Sequence, residues 1–311
     1  MISRRNIRVK VMQVLYMIET AETPNVFKNP VSQLQKHVDQ TAELFVYLVY
    51  FITEVARFAE TSSRQRAAKN LPSNADLNVN TKISGNELLW QIIESNTFIK
   101  ALELLKPSLK IDKELVKKIY QDLTLTEKYQ EYITAQSRDT LKEREIMKLI
   151  FTTLMLPNED FITHIEELFS NWDDDAEMMD QLVLNYLQKP ATFNLQELVG
   201  AEKWDFARTL LTTAIEKKEY TAELIKPKLK NWDSERIALI DMILMRLGVC
   251  ELLYFETIPT KVTINEYIDL AKDYSTAQSG QFVNGILDSI HKEFIENGDI
   301  HKINFKNKTQ A

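Results

Sequence analysis

Hydrophobic positions recur at three- and four-residue spacings along most of the chain, and that spacing predicts helices. The first helix is expected from about Ser3 to Glu19. Ile7, Val11, Val14, Leu15 and Ile18 form one stripe, and Arg5, Arg8 and Tyr16 fall on its flank with Met12 between them. A loop with Thr23, Pro24, Asn29 and Pro30 follows, then a helix across roughly 31–59, in which the apolar run Leu44–Ile52 marks a core segment. Residues 70–86, rich in Asn, Ser, Pro and Gly, read as a linker. Helical pattern resumes over Glu87–Leu105 and again after Asp112, a candidate N-cap. It continues over about 126–155, stopped by Pro157, and over 159–170, 174–188 and 194–200. From Ala201 the pattern tightens into segments at about 202–216, 220–229, 233–254, 263–274 and 280–295. In the last of these Phe282, Val283, Ile286, Leu287, Ile290 and Phe294 line one side.

Composition supports an all-α fold. Six glycines and eight prolines in 311 residues are too few for the many tight turns of an all-β chain. The length allows one large domain or two, and no fixed-period repeat is evident. Cys250 is the single cysteine, so no internal disulfide can form, and its apolar neighbours suggest a small buried hydrophobe. The N-terminal Met-Ile-Ser-Arg-Arg leads into no apolar signal region, and no stretch reaches the roughly 18 apolar residues of a membrane span. A cytoplasmic protein is expected.

Charge changes the picture locally. The chain carries a net −7, which opposes indiscriminate binding to nucleic acid at long range. Residues 1–20, however, hold Arg4, Arg5, Arg8 and Lys10 against Glu19 alone, a local +3 that leaves −10 for the rest. Arginines at a helix N-terminus suit phosphates, because guanidinium forks bind them bidentately and the helix dipole adds positive potential. Single-stranded RNA also needs rings for stacking and amides for base edges; Tyr16 and Phe282 can supply the first, Gln13 and Gln281 the second. Taken alone, a solvated charged helix end is the ordinary reading of such a cluster.

Other candidates carry less chemistry. Glu251 lies on the wheel about 20° from Ile240, on an apolar stripe with Leu244 and Leu247, so its carboxylate needs an internal ion pair or a backbone group to hold. Asp241 points elsewhere and reads as a surface acid. Gly285 follows Asn284 inside a helical pattern, where close helix packing is its expected role, and Lys272 and Asn284 are expected to be structural. The acidic run Asp173, Asp174, Asp175 and Glu177 lacks the spacing of a calcium loop. His37, His164, His291 and His301 show no zinc-ligand spacing, and no phosphate-binding glycine loop or nucleophile elbow occurs. A binding protein rather than an enzyme is expected, with no metal and no cofactor.

The segment Lys261–Ile290, KVTINEYIDLAKDYSTAQSGQFVNGILDSI, resembles the C-terminal signature of the NusB family. Upstream, IDMILMRLGVCELLYFETIP matches the family's preceding helix at Asp241, Arg246, Glu251, Leu252 and Pro259, and FARTLL and LIKPKL resemble the helices before it. RRNIRVKVMQVLY resembles the Arg-rich first helix, with Arg4, Arg5, Arg8, Gln13, Leu15 and Tyr16 in place. Asn6 replaces what is often a third basic residue, and Val9 an acid. The resemblance spans roughly 1–20 and 200–292, and it implies a NusB-like helical bundle from residues 1–20 and 200–295 around a helical insertion at 21–199, with a tail at 296–311.

It further implies transcription antitermination. The partners would be boxA-type single-stranded RNA of ribosomal RNA leaders, the ribosomal protein NusE, and the RNA polymerase elongation complex with other Nus factors. Arg4, Arg5, Arg8, Gln13, Tyr16, Gln281 and Phe282 would face RNA, and Asp241 and Glu251 would serve NusE. The alternative is a helical interaction scaffold that has lost specific RNA binding.

Overall fold

The computed structural model describes residues 2–21, 29–195, 197–229 and 237–303. Every regular element among them is helical, and the chain divides into two compact units. One comprises Met1–Ile2 and Val38–Val199, the other Ser3–His37 and Gly200–Ala311.

The unit of Ser3–His37 and Gly200–Ala311 holds α1 (Arg4–Thr20), α11 (Ala201–Glu216), α12 (Lys218–Ile225), α13 (Leu239–Tyr254), α14 (Thr260–Tyr274) and α15 (Ser279–Asn297). Helix α13 is its axis: α1, α11, α12, α14 and α15 all pack on it, and every residue from Ile243 to Leu252 is buried. Its sequence is therefore apolar all round rather than striped. The thiol of Cys250 is buried there, and that burial pushes its pKa up to about 12. Close approach occurs at Gly280, where a Cβ would fall 2.8 Å from Lys272 Cγ, and at Gly248, where it would fall 2.9 Å from Leu287. The close packing expected at Gly285 is absent: its side of α15 is open, with no atom within 4 Å of an added Cβ. Residues 22–28 and 230–236, which include Thr23, Pro24 and the start of the segment expected at 233–254, lie outside the described residues.

The other unit is built on the longest helix, α2 (Pro30–Ala67), which begins in the first unit and whose residues from Val38 onward belong to the second. Asn29 caps α2 by accepting from Ser32 N at 3.1 Å. The unit also holds α3 (Asn74–Leu77), α4 (Glu87–Ile93), α5 (Asn96–Leu105), α6 (Lys113–Leu125), α7 (Glu127–Thr134), α8 (Thr140–Leu149), α9 (Glu159–Leu168) and α10 (Trp172–Gln188). Aromatic side chains knit them. Phe45 meets Tyr186 of α10 edge-on at 5.7 Å, Phe51 meets Phe161 of α9 at 5.0 Å, and Phe58 meets Tyr120 of α6 at 5.4 Å.

Three sequence expectations need correction here. The stretch 126–155 is two helices with a π-helical turn, Ile150–Met155, after the second. Asp139 starts α8 afresh by accepting from Leu141 N at 2.9 Å, so its side chain competes with a continuous helix. The linker 70–86 contains α3, whose Ser73–Asp76 capping box secures both ends of its first turn. The described residues of 194–200 form turns and bends, not a helix. Among the described residues no helix is long and apolar enough to cross a membrane.

Candidate nucleic-acid interface

Ser3 begins α1 by accepting from Asn6 N at 3.2 Å, which leaves Arg4 and Arg5 on the first exposed turn. Both guanidinium groups already hold acids of the same unit. Arg4 pairs with Glu202 of α11 and lies 5.9 Å over the Phe206 ring. Arg5 donates to Asp273 at 2.6 Å near the end of α14, with Glu266 at 3.9 Å. Glu266 and Asp273 are seven residues apart on one helix, so both project toward α1. They were not singled out in the sequence, although their spacing carried the signal.

Arg8 does not join them. Its side chain is only 2% exposed and forms a fork with Glu251, Nε at 2.9 Å and Nη2 at 2.7 Å. Glu251 is fully buried and also accepts from Thr263 Oγ1 at 2.9 Å and Tyr267 Oη at 3.0 Å. Burial disfavours the charge on Arg8, but the Glu251 hydrogen bonds and the carboxylates of Glu251 and Glu266 outweigh it and hold the guanidinium above its ordinary pKa. Burial, with Glu251 adding to it, raises the Tyr267 phenol well above its usual range, so it stays a neutral donor. This hub ties α1 to α13 and α14. The expectation that Arg8 meets phosphate and Glu251 meets a protein partner is corrected: neither side chain reaches solvent.

Two further candidates turn inward. Phe282 is 8% exposed and packs in the core, so it offers no free face for a base. Asp241 is also buried and accepts from Ser279 Oγ at 2.8 Å, linking α13 to the first turn of α15. Its expected place as a surface acid facing a partner is corrected on the same ground. Arg246, which matched the family pattern, is buried against Glu19 and donates to Ala214 O at 3.1 Å.

The candidates that remain accessible are Arg4, Arg5, Gln13, Tyr16 and Gln281. Tyr16, 42% exposed, sits eleven residues after Arg5, which places it on the same side of α1 roughly 16 Å along the axis. The end of α14 that holds Arg5 through Asp273 also packs, through Lys272, against Gly280 at the start of α15. Gln281 is the next, exposed residue. Arg5 and Gln281 are therefore supported by adjacent residues of one helix end. The acids opposite Arg4 and Arg5 are themselves exposed, so these are surface pairs of ~0–1 kcal/mol that an incoming phosphate can exchange.

A sequence profile described as the NusB family matches residues 163–292, which takes in α10 of one unit and most of the other. The transcription antitermination protein NusB of Salinibacter ruber is 42% identical over 98 residues, 32% of this chain and 61% of that protein. The protein of the same name from Methylacidiphilum infernorum is 49% identical over 94 residues, 30% of this chain and 62% of its own length. That of Bacillus mycoides is 40% identical over 91 residues, covering 29% of this chain and 70% of the relative. The chain thus spans about three fifths of the length of the first two. No solved structure matches it.

Proposed function

Because this chain belongs to the NusB family, we propose that it is a transcription antitermination factor that binds single-stranded RNA through the N-terminal turn of α1 and the start of α15. The supporting observation is that Arg5 of α1 and Gly280, the neighbour of Gln281 in α15, both contact the C-terminal end of α14, with Tyr16 further along the same side of α1. Arg4 and Arg5 would exchange Glu202 and Asp273 for phosphates, Tyr16 would stack on a base, and Gln13 and Gln281 would contact base edges. A boxA-type element of ribosomal RNA leaders is the proposed RNA, and ribosomal protein NusE, within the RNA polymerase elongation complex and its other Nus factors, the proposed partner. Binding of one would raise the effective concentration of the other. Arg8, Phe282, Asp241 and Glu251 act in this reading by holding α1, α13, α14 and α15 in register.

The test is binding of a boxA-like RNA and a scrambled control at several salt concentrations, with and without NusE. Arg4→Ala and Arg5→Ala are each expected to weaken the boxA complex and to lower the salt slope by about 0.7 for every phosphate no longer neutralised. Equal, weak binding of both RNAs, unchanged by these substitutions and by NusE, would defeat the RNA reading. The prior pairing of both arginines with Glu202 and Asp273 favours one alternative, a protein-interaction scaffold without RNA preference. Sequence preference at fixed salt separates the two.

A further inference from the structure

The unit of Val38–Val199 contains a cavity of about 650 Å³ between the C-terminal half of α2 and helices α3, α6 and α7. That unit carries 17 Lys and Arg against 26 Asp and Glu, a net −9. Yet Arg66, Lys69 and Lys117 line the cavity, and none of the described residues lining it is a carboxylate. Behind the wall, Arg66 and Lys69 share one oxygen of Asp76, each at 2.9 Å, so a single acid balances two cations. Lys117 pairs with Glu114 at 2.9 Å, and that acid is 82% exposed, a pair water or a ligand displaces at little cost. Phe58, half-buried at the edge and packed on Tyr120 at 5.4 Å, offers the accessible ring, while Tyr120 and Tyr129 are buried and present no free face. Gln65 and Gln121 present exposed amides at the rim.

Cations for phosphate, a ring for a base and amides for its edge make one chemistry, and we propose that this cavity binds a nucleoside phosphate. Its volume falls in the range of roughly 300–1,000 Å³ usual for small-ligand sites. Size and charge also limit the ligand. A long polyanion would meet the repulsion of the unit's net −9, so at most a nucleotide or two enters. The next hollow along α2 has its arginines already matched, Arg57 with Glu54 and Arg64 with Glu60. The inference concerns a different unit from the RNA surface above and does not depend on it.

Calorimetric titration of the full chain at fixed salt tests the proposal, with 5′-AMP, a single-stranded hexa-adenylate and inorganic phosphate as probes. AMP or the hexamer is expected to bind saturably. The double substitution Lys69→Ala/Lys117→Ala should weaken that binding at least tenfold while the far-UV spectrum and melting temperature hold. Lys69 is exposed and Lys117 half-buried, and the Arg66–Asp76 pair survives the change. Gln121→Ala, a milder rim change, should weaken it several-fold. Arg4→Ala/Arg5→Ala should leave AMP binding unchanged, which separates this site from the RNA surface on α1. Competition between AMP and the hexamer tells a free nucleotide from a strand. The proposal is overturned if neither binds, if inorganic phosphate binds as well as AMP, if hexaglutamate displaces AMP more effectively than the hexamer does, or if the α1 variant rather than the lysine variant loses binding.

Discussion

In the unit of Ser3–His37 and Gly200–Ala311 charged side chains lie in the core. Arg8 and Glu251 form a buried fork, Arg246 is buried on Glu19, and Asp241 is buried under Ser279. In the unit of Val38–Val199 the core is aromatic, and its described ion pairs have at least one partner near the surface. There Asp76 holds Arg66 and Lys69, whereas two other buried acids are met mainly by neutral donors. Asp175 accepts from Thr41 and Asn171, each at 2.7 Å, and Glu143 accepts from Glu87 N at 2.8 Å and Tyr132 Oη at 3.1 Å, with exposed Arg138 at 3.2 Å. Buried ions accept few geometries, so the first unit's polar residues fix which helix faces which. An aromatic core tolerates more arrangements and is held by area and ring contact. Net charge follows the same division, −9 for the aromatic unit and therefore +2 for the remainder of a −7 chain. A polyanion is accordingly expected on the unit with the buried ions and only a small anionic ligand on the aromatic one.

The sharpest way to break this contrast is to remove one ion of the buried fork. Arg8→Ala leaves Glu251 charged and buried among Thr263 and Tyr267, and a loss of about 3–5 kcal/mol is expected. Urea unfolding with hydrogen exchange resolved by segment would show the loss in α1, α13 and α14. Replacing both ions with apolar residues, Arg8→Met/Glu251→Leu, should recover much of it, since no uncompensated ion remains. Equal stability of Arg8→Ala and wild type would mean the fork does not hold the bundle. In the aromatic unit, Glu143→Ala leaves Glu87 N–H and the Tyr132 hydroxyl unmet, and a smaller loss of about 1–3 kcal/mol is expected.

These residues also show how far the sequence could be read. Helix positions follow from periodicity, but the breaks inside 87–105 and 126–155 do not: the extended backbone at Ser95, which makes no side-chain cap, and the Asp139 cap of α8 both interrupt an apolar pattern that runs straight through. Glu251 could be read as an acid in need of a buried partner because its spacing set it on an apolar stripe. That the partner is Arg8, 243 residues away, depends on tertiary packing that periodicity does not encode. The same limit misplaced Arg8, Phe282 and Asp241: a motif names positions in register but not which of them face water. Arg4 and Arg5 are placed at the surface by the N-cap at Ser3, which is local and readable.

A finer contrast lies within α15. Gly280→Ala drives a Cβ into Lys272 at 2.8 Å and to 3.5 Å from Ile268 O, so it should destabilise unless the lysine stem swings aside. Gly285→Ala meets no atom within 4 Å, and alanine in a helix interior is favoured over glycine by about 1 kcal/mol. The second change should therefore raise the midpoint of urea unfolding. If both lower it, α15 is not open at Gly285.

The smallest expected effect is a pH response of the aromatic unit. His164 Nε2 lies 2.6 Å from the Tyr47 hydroxyl, and Tyr47 packs on Phe169 at 5.3 Å. Burial lowers the histidine's pKa below its ordinary 6.5, against the opposing pull of Asp112 and Glu167. Since the folded value lies below the unfolded one, the neutral ring's contribution is fully present above about pH 6.5 and is lost as pH falls through the folded pKa. Melting followed from pH 7.5 to 5 should show a decline below about 6.5 that is absent in His164→Gln, which keeps a polar group beside Tyr47. An identical decline in the variant would assign the response to other groups. A decline confined to α1 and α11–α15 in hydrogen exchange would place it in the unit whose core carries the ions.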